Sequence, residues 1–147
     1  MPEANVAPEL DGLTGWVQSQ PLRLEHLRGK VVGIEFWTHG CQYCVHAAPR
    51  LQVLYDTYGK QGFVLIGVHT PEFEEEKDIA AIKKFLLHAH LTYPIAIDDD
   101  MKVWDAFGNQ YWPTLYLIDK TGHVRATHVG DGGYEKIKQD IEHLLAE

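Results

Sequence analysis

The sequence predicts an α/β fold, a central mixed β-sheet flanked by helices. Two observations carry this expectation. Two short, nearly all-apolar runs, Val31 to Trp37 and Phe63 to His69, are each followed by a helical pattern, and the chain closes on a hairpin and one more helix. A continuous apolar run of that length suits a strand covered on both faces. Early strand–helix alternation implies parallel strands at the centre, and the late hairpin adds antiparallel ones.

The elements follow in order. Residues 1–8 are expected to be a loose arm, and the next stretch a short strand or hairpin around Trp16 and Leu22 to Leu24. After the strand Val31 to Trp37, a helix starts near Cys41. Its inward stripe is Cys44, Ala48, Leu51, Tyr55 and Tyr58, at helical spacing. Gly59 is expected to end it. The strand Phe63 to His69 comes next. The acid-led segment from Glu74 then forms a helix with Ile79, Ile82, Leu86 and Ala89 on one face. Tyr93 to Ile97 reads as a short strand and Met101 to Phe107 as a helical turn. A hairpin turns at Lys120-Thr121-Gly122, and a last helix puts Tyr134, Ile137, Ile141, Leu144 and Leu145 inward.

Composition narrows the function. With 147 residues, the chain suits a single domain over residues 1–147. A net charge of -8 speaks against nucleic acid and anionic membranes as partners, since both call for a basic surface. No apolar run reaches the length of a membrane span. The first ten residues lack the basic and apolar parts of a leader, so the chain as it stands is expected in the cytoplasm. An extracytoplasmic or periplasmic site is the alternative if a leader or anchor has been removed. A monomer is expected. Two cysteines are too few for a disulfide scaffold.

Those two cysteines, Cys41 and Cys44, stand two residues apart where a helix follows a buried strand. A helix N-terminus favours an anion, so the Cys41 thiolate should be stabilised there. Cys44 lies on the same side of the first turn, within disulfide reach. It also belongs to the core stripe. The expected roles are therefore unequal: Cys41 exposed and attacking, Cys44 sheltered and resolving. The plain alternative is two small residues that happen to be near each other.

Glu35 stands inside the first apolar strand. Burial there disfavours its charged form and raises its pKa. A carboxyl poised nearer neutral pH beneath Cys44 could take and return that thiol's proton. A paired structural acid, or one on an edge strand facing water, is the alternative. Pro113 opens the strand after Trp112, where it blocks ladder pairing at that end. By base rate alone its peptide bond is trans.

Together these residues resemble the thioredoxin superfamily, and within it the thiol-disulfide oxidoreductases of the TlpA and DipZ type. The quoted run is "EFWTHGCQYC", with Glu35 six residues before Cys41, Pro49 eight after it, and "WPT" at Trp112 to Thr114. "LRLEHLRGKVV", "IGVHTPEF" and "IDKTGHVRATHVG" extend the likeness over residues from about 8 to 147. The resemblance implies a thioredoxin fold with an N-terminal extension and an αβ insertion before the proline-led strand. It implies a cis Pro113, a helix kink at Pro49 that removes the bond to the Val45 carbonyl, and a peptide groove of Trp112, Pro113 and Gly130. Trp37 would pack beside the disulfide. No cofactor is implied beyond a redox-active Cys41–Cys44 disulfide. The partners would be protein thiols and disulfides and an electron donor or acceptor, with reduction favoured over oxidation. Three departures limit the likeness: Gln42-Tyr43 replaces Gly-Pro, the neighbouring strand lacks a lysine for Glu35, and Ala47 stands where relatives often carry Glu.

Nine histidines raise the question of metal. No pair shows chelating spacing in sequence, so none is assigned to a metal. Most are expected at the surface or at caps, and the alternative for His39 is that its charge acts on Cys41. A Sco-type copper site would carry three residues between its cysteines, not two. A thiol peroxidase is a second alternative, because Thr38-His39-Gly40-Cys41 fits the T-x-x-C of peroxiredoxins. The proline expected four residues before that threonine is Ile34. A redox-inert thioredoxin-fold interaction module is the non-enzymatic alternative.

Overall fold

The structure, a computed structural model, describes residues 5–147. In chain order the elements are β1 (Gly15–Val17), β2 (Val31–Trp37), α1 (Gln42–Tyr58), β3 (Phe63–His69), α2 (Ile79–His88), β4 (Ile95–Ile97), α3 (Lys102–Ala106), β5 (Thr114–Ile118), β6 (Val124–Val129) and α4 (Tyr134–Leu145). The strands form one sheet in the order β1-β4-β3-β2-β5-β6. The pairs β2–β3 and β3–β4 are parallel, and the other three are antiparallel. The expected mixed sheet is therefore present. Between β3 and the proline-led β5 lie α2, β4 and α3.

Alternation sorts the central strands into two faces. Val31 and Trp37 of β2, with Phe63 and Leu65 of β3, point toward α1, α2 and α4. There they pack with Cys44, Leu51, Ile82, Leu86, Ile137 and Ile141. Val32, Ile34 and Phe36, with Ile66 and Val68, point the other way, onto Leu24, Val103 and Trp104. Glu35 has the parity of Val31 and Trp37, so it lies on the α1 face. Fully burying an aliphatic side chain contributes about 1.5–3 kcal/mol. The three buried residues of α4, Ile137, Ile141 and Leu144, therefore pin this otherwise polar helix to the sheet.

Several local expectations are corrected. Residues 5–8 are no loose arm: Val6 bridges His123, the Ala7 N–H donates to the Gly122 carbonyl at 2.9 Å, and Ala7 is buried. Residues 1–4 lie outside the described residues. Trp16 sits in β1, but Leu24 opens a 3-10 turn rather than a strand. The reason is Glu9, whose carboxylate accepts from the N–H groups of Leu10, Leu24 and Glu25 and caps that turn. Gly59 ends α1 as its C-cap, but with right-handed backbone rather than a left-handed stop. The chain tightens through a 3-10 turn, and Gly62, at φ 102°, makes the left-handed stop. The acids at Glu74 to Glu76 form their own 3-10 turn, and Asp78 caps α2 by accepting from Ala80 and Ala81. Ile79 is thereby the first helical residue and faces solvent, while Ile82 and Leu86 carry the packing. The strand expected from Tyr93 begins at Ile95.

Candidate active site

Cys41 is the N-cap of α1, and its Sγ accepts a hydrogen bond from the Cys44 N–H at 3.2 Å. A backbone donor at a helix start is therefore aimed at this sulfur. Cys41 is partly exposed, and Cys44 is only 1% exposed. Both thiols are free. Burial pushes the Cys44 thiol pKa up, and the hydrogen bond with Cys41 and the nearby Glu35 add to the rise. The two thiols thus occupy different environments three residues apart. Between them, Gln42 and Tyr43 are exposed, Tyr43 at 69%.

Glu35 is 3% exposed in the middle of the sheet, which excludes an edge-strand acid facing water. Its in-register neighbours are Gly67 on β3 and Leu115 on β5. No cation stands across from it on either strand. Desolvation alone holds its pKa well above the ordinary carboxylate value. The side chain borders a crevice of about 10 Å³ with Pro113, Leu115, His128, Gly130 and Tyr134. That is close to the least space a water molecule needs.

The Trp112–Pro113 bond is cis. The Gly130 N–H donates to the Pro113 carbonyl at 2.8 Å, which ties the loop after β6 to the proline. Among the described residues, neither backbone group of Trp112 makes a hydrogen bond. Its indole Nε1 donates to the Thr70 carbonyl at 2.7 Å, and its ring packs 4.1 Å from that of Trp104. Trp37 is buried in the cluster that holds Cys44, beside His69 and Phe85, and among the described residues its Nε1 has no partner. Pro49 lies inside α1, which continues to Tyr58. His46 on α1 pairs with Asp131, which also accepts from the Tyr134 hydroxyl.

One cluster escaped the sequence reading. The backbone N–H and the ring Nδ1 of His39 meet the Nε2 of His69 at 3.2 and 3.0 Å. The Thr38 hydroxyl donates to Glu76 at 2.6 Å and lies 3.3 Å from the same Nε2. Thr38 and His69 are fully buried, and Glu76 nearly so. Burial, then the charge of His39, pushes His69 down to about 3. The signal available was positional: Thr38 and His69 both stand at the carboxyl ends of adjacent parallel strands, where α/β sheets place their sites. Among the described residues, no three His, Cys, Asp or Glu side chains gather into a metal-holding group. No helix among them is long and apolar enough to cross a membrane.

Comparison with known proteins agrees with this geometry. The AhpC/TSA family model matches residues 4–127. DipZ of Mycobacterium tuberculosis is 41% identical over 142 residues, which is 95% of this chain and 20% of DipZ. The thiol-disulfide oxidoreductase YkuV of Bacillus subtilis is 33% identical over 140 residues, covering 95% of this chain and 94% of YkuV. The chain therefore spans a fifth of the DipZ relative and nearly all of YkuV. Among solved structures, the thioredoxin-like superfamily protein SPOA0173 superposes with a TM-score of 0.89 at 31% identity, over 97% of both chains. A thioredoxin-like protein in its oxidized form gives 0.87 at 32% identity, over 97% of this chain and 95% of that one. By sequence and by fold, the chain belongs to the thioredoxin-like AhpC/TSA family.

Proposed function

We propose that this domain is a thiol-disulfide oxidoreductase that reduces disulfides in protein substrates through Cys41 and Cys44. The observation that carries the reading is the unequal pair: a partly exposed sulfur on a helix N-cap three residues before a buried thiol. The Cys41 thiolate attacks a substrate disulfide and forms a mixed disulfide, and one substrate sulfur leaves as a thiolate. Cys44 passes its proton to the Glu35 carboxylate, whose proton affinity burial raises. The Cys44 thiolate then attacks the Cys41 sulfur and releases the second substrate sulfur. The protein is left with a Cys41–Cys44 bond, and an external dithiol returns the two electrons. The cysteines carry the electrons themselves, so no further cofactor enters.

Trp112, Pro113 and Gly130 form the peptide groove on this reading. The unpaired Trp112 backbone groups receive an extended substrate strand. Tyr43 and Gln42 lie exposed beside the attacked bond and contribute to substrate choice. Direction follows from the potential of the pair relative to its electron partner and does not by itself fix the compartment, for which the cytoplasm is our reading. The domain acts as a monomer, which sedimentation checks.

A peroxidase reading has the T-x-x-C pattern in its favour. Its threonine, Thr38, is fully buried and commits its hydroxyl to Glu76, which leaves it unfit to steer a peroxide onto Cys41.

Insulin reduction by dithiothreitol tests the proposal. The protein accelerates precipitation, and Cys41→Ser abolishes the effect; acceleration that survives this change contradicts it. The potential of the pair against glutathione tests direction. A value near thioredoxin's, roughly -270 mV, supports a reductase, and one near -120 mV an oxidase.

A further inference from the structure

The His39–His69 contact takes no part in the thiol exchange described above, yet it borders the reactive sulfur. His39 shares the wall of an open pocket of about 270 Å³ with Gly40, Cys41, Gln42, Val45 and His46. The two imidazoles stack with centroids 5.2 Å apart.

The proton positions follow from a fixed donor. The His39 backbone N–H can only donate, so the Nε2 of His69 is an acceptor and its Nδ1 carries the hydrogen. The ring Nδ1 of His39, which also meets that Nε2, must then be a donor. His69 cannot take a second proton at Nε2 without losing both bonds, and its buried Nδ1 has no partner among the described residues. His39 is partly exposed and can be protonated at its own Nε2 while keeping its bond to His69. The two bonds thus fix the tautomer of His69 and the orientation of the His39 ring.

We propose that this pair sets how the reactivity of Cys41 depends on pH, with buried His69 as the positioning residue that holds the His39 ring in the pocket wall beside Cys41. The proposal rests on Cys41 being the attacking thiol. A cationic His39 beside a sulfur favours the anionic form of that sulfur, so Cys41 stays reactive into mildly acidic solution. The groups facing the pair are Trp37 from β2, Thr38 just after it, Glu76 from the 3-10 turn, Cys41 at the helix cap, and His46 from α1. His46 is itself paired with Asp131. Glu76 is turned to Thr38 and to the Glu72 N–H.

The test is the rate of Cys41 alkylation by iodoacetamide from pH 5 to 9, followed by peptide mass. His39→Gln should slow it at least fivefold at pH 5.5 and leave it within twofold at pH 8.5. His69→Leu should reproduce that loss. His69→Gln, whose amide oxygen can accept the same two N–H groups, should restore most of the rate. In the wild type, imidazole proton–nitrogen correlation spectra should show His69 neutral with its proton on Nδ1 down to pH 4.5, a readout that needs no folded variant. Superimposable pH–rate curves for the wild type and His39→Gln overturn the proposal, and so does His69 carrying its proton on Nε2. Insulin reduction at pH 8, measured alongside, separates this failure from failure of the oxidoreductase reading, because alkylation requires no disulfide substrate.

Discussion

Glu35 and Gly67 stand side by side, in register on β2 and β3, so the buried acid faces no side chain on the neighbouring parallel strand. Its other neighbour is Leu115. The carboxyl is thus kept without a cation, and burial alone raises its pKa. A proton carrier for Cys44 needs this property, because a salt-bridged acid would hold too little affinity for the proton.

Glu35→Gln follows from that relationship in two ways. Release of reduced substrate near neutral pH should slow at least tenfold, read by stopped-flow on a trapped mixed disulfide. Stability should change in the opposite sense. Below the ordinary value near 4.5 the acid is protonated in both folded and unfolded chains. Above it the unfolded chain ionises first, so wild-type stability falls as pH rises, by up to about 1.4 kcal/mol per unit, until the folded acid ionises. Thermal unfolding should show Glu35→Gln more stable than the wild type at pH 8 and equal to it at pH 4. Parallel curves would remove Glu35 as the cause.

His69 gives a slope of the other sign. Its folded pKa is depressed to about 3 by burial, then by His39. Between its ordinary value near 6.5 and that figure, the unfolded chain binds the extra proton. Stability should therefore drop as pH falls through this window, by about 1.4 kcal/mol per unit. Urea titrations at pH 7, 6, 5 and 4 measure it, and His69→Gln should flatten the decline.

Gly40 is where the active-site turn meets Glu76. A Cβ there would overlap Glu76 Oε2, and Oε1 of the same carboxylate is held by Thr38 and the Glu72 N–H. Gly40→Ala must displace that carboxylate and disturb the two bonds Oε1 accepts. We expect a loss of about 1–3 kcal/mol in chemical denaturation. Thr38→Val, which removes one of the two bonds without the clash, should cost less.

Much of this site is legible in the sequence because its signals are local. The Cys41–Cys44 spacing, the apolar run around Glu35 and the helical stripe through Cys44 each lie within one element. The His39–His69 pair is different. Its members are 30 residues apart and meet only because the parallel register sets Trp37 beside His69. A sequence shows that His69 ends a strand and that His39 follows one, and it does not show which strands are neighbours or how they align. The N-terminal stretch failed for a related reason. Glu9 caps a turn 15 residues away, a tertiary bond that overrides the strand pattern around Leu22 to Leu24. Ile79 was misplaced because the cap is Asp78, so the helix begins later than its run of acids suggests.

The most direct test of unequal cysteine roles is to trap a mixed disulfide with a model protein substrate and weigh it. Cys44→Ser should accumulate a covalent adduct through Cys41 that persists until an external thiol is added, and Cys41→Ser should form none. An adduct through Cys44 in Cys41→Ser, with none in Cys44→Ser, would reverse the assignment and contradict the account.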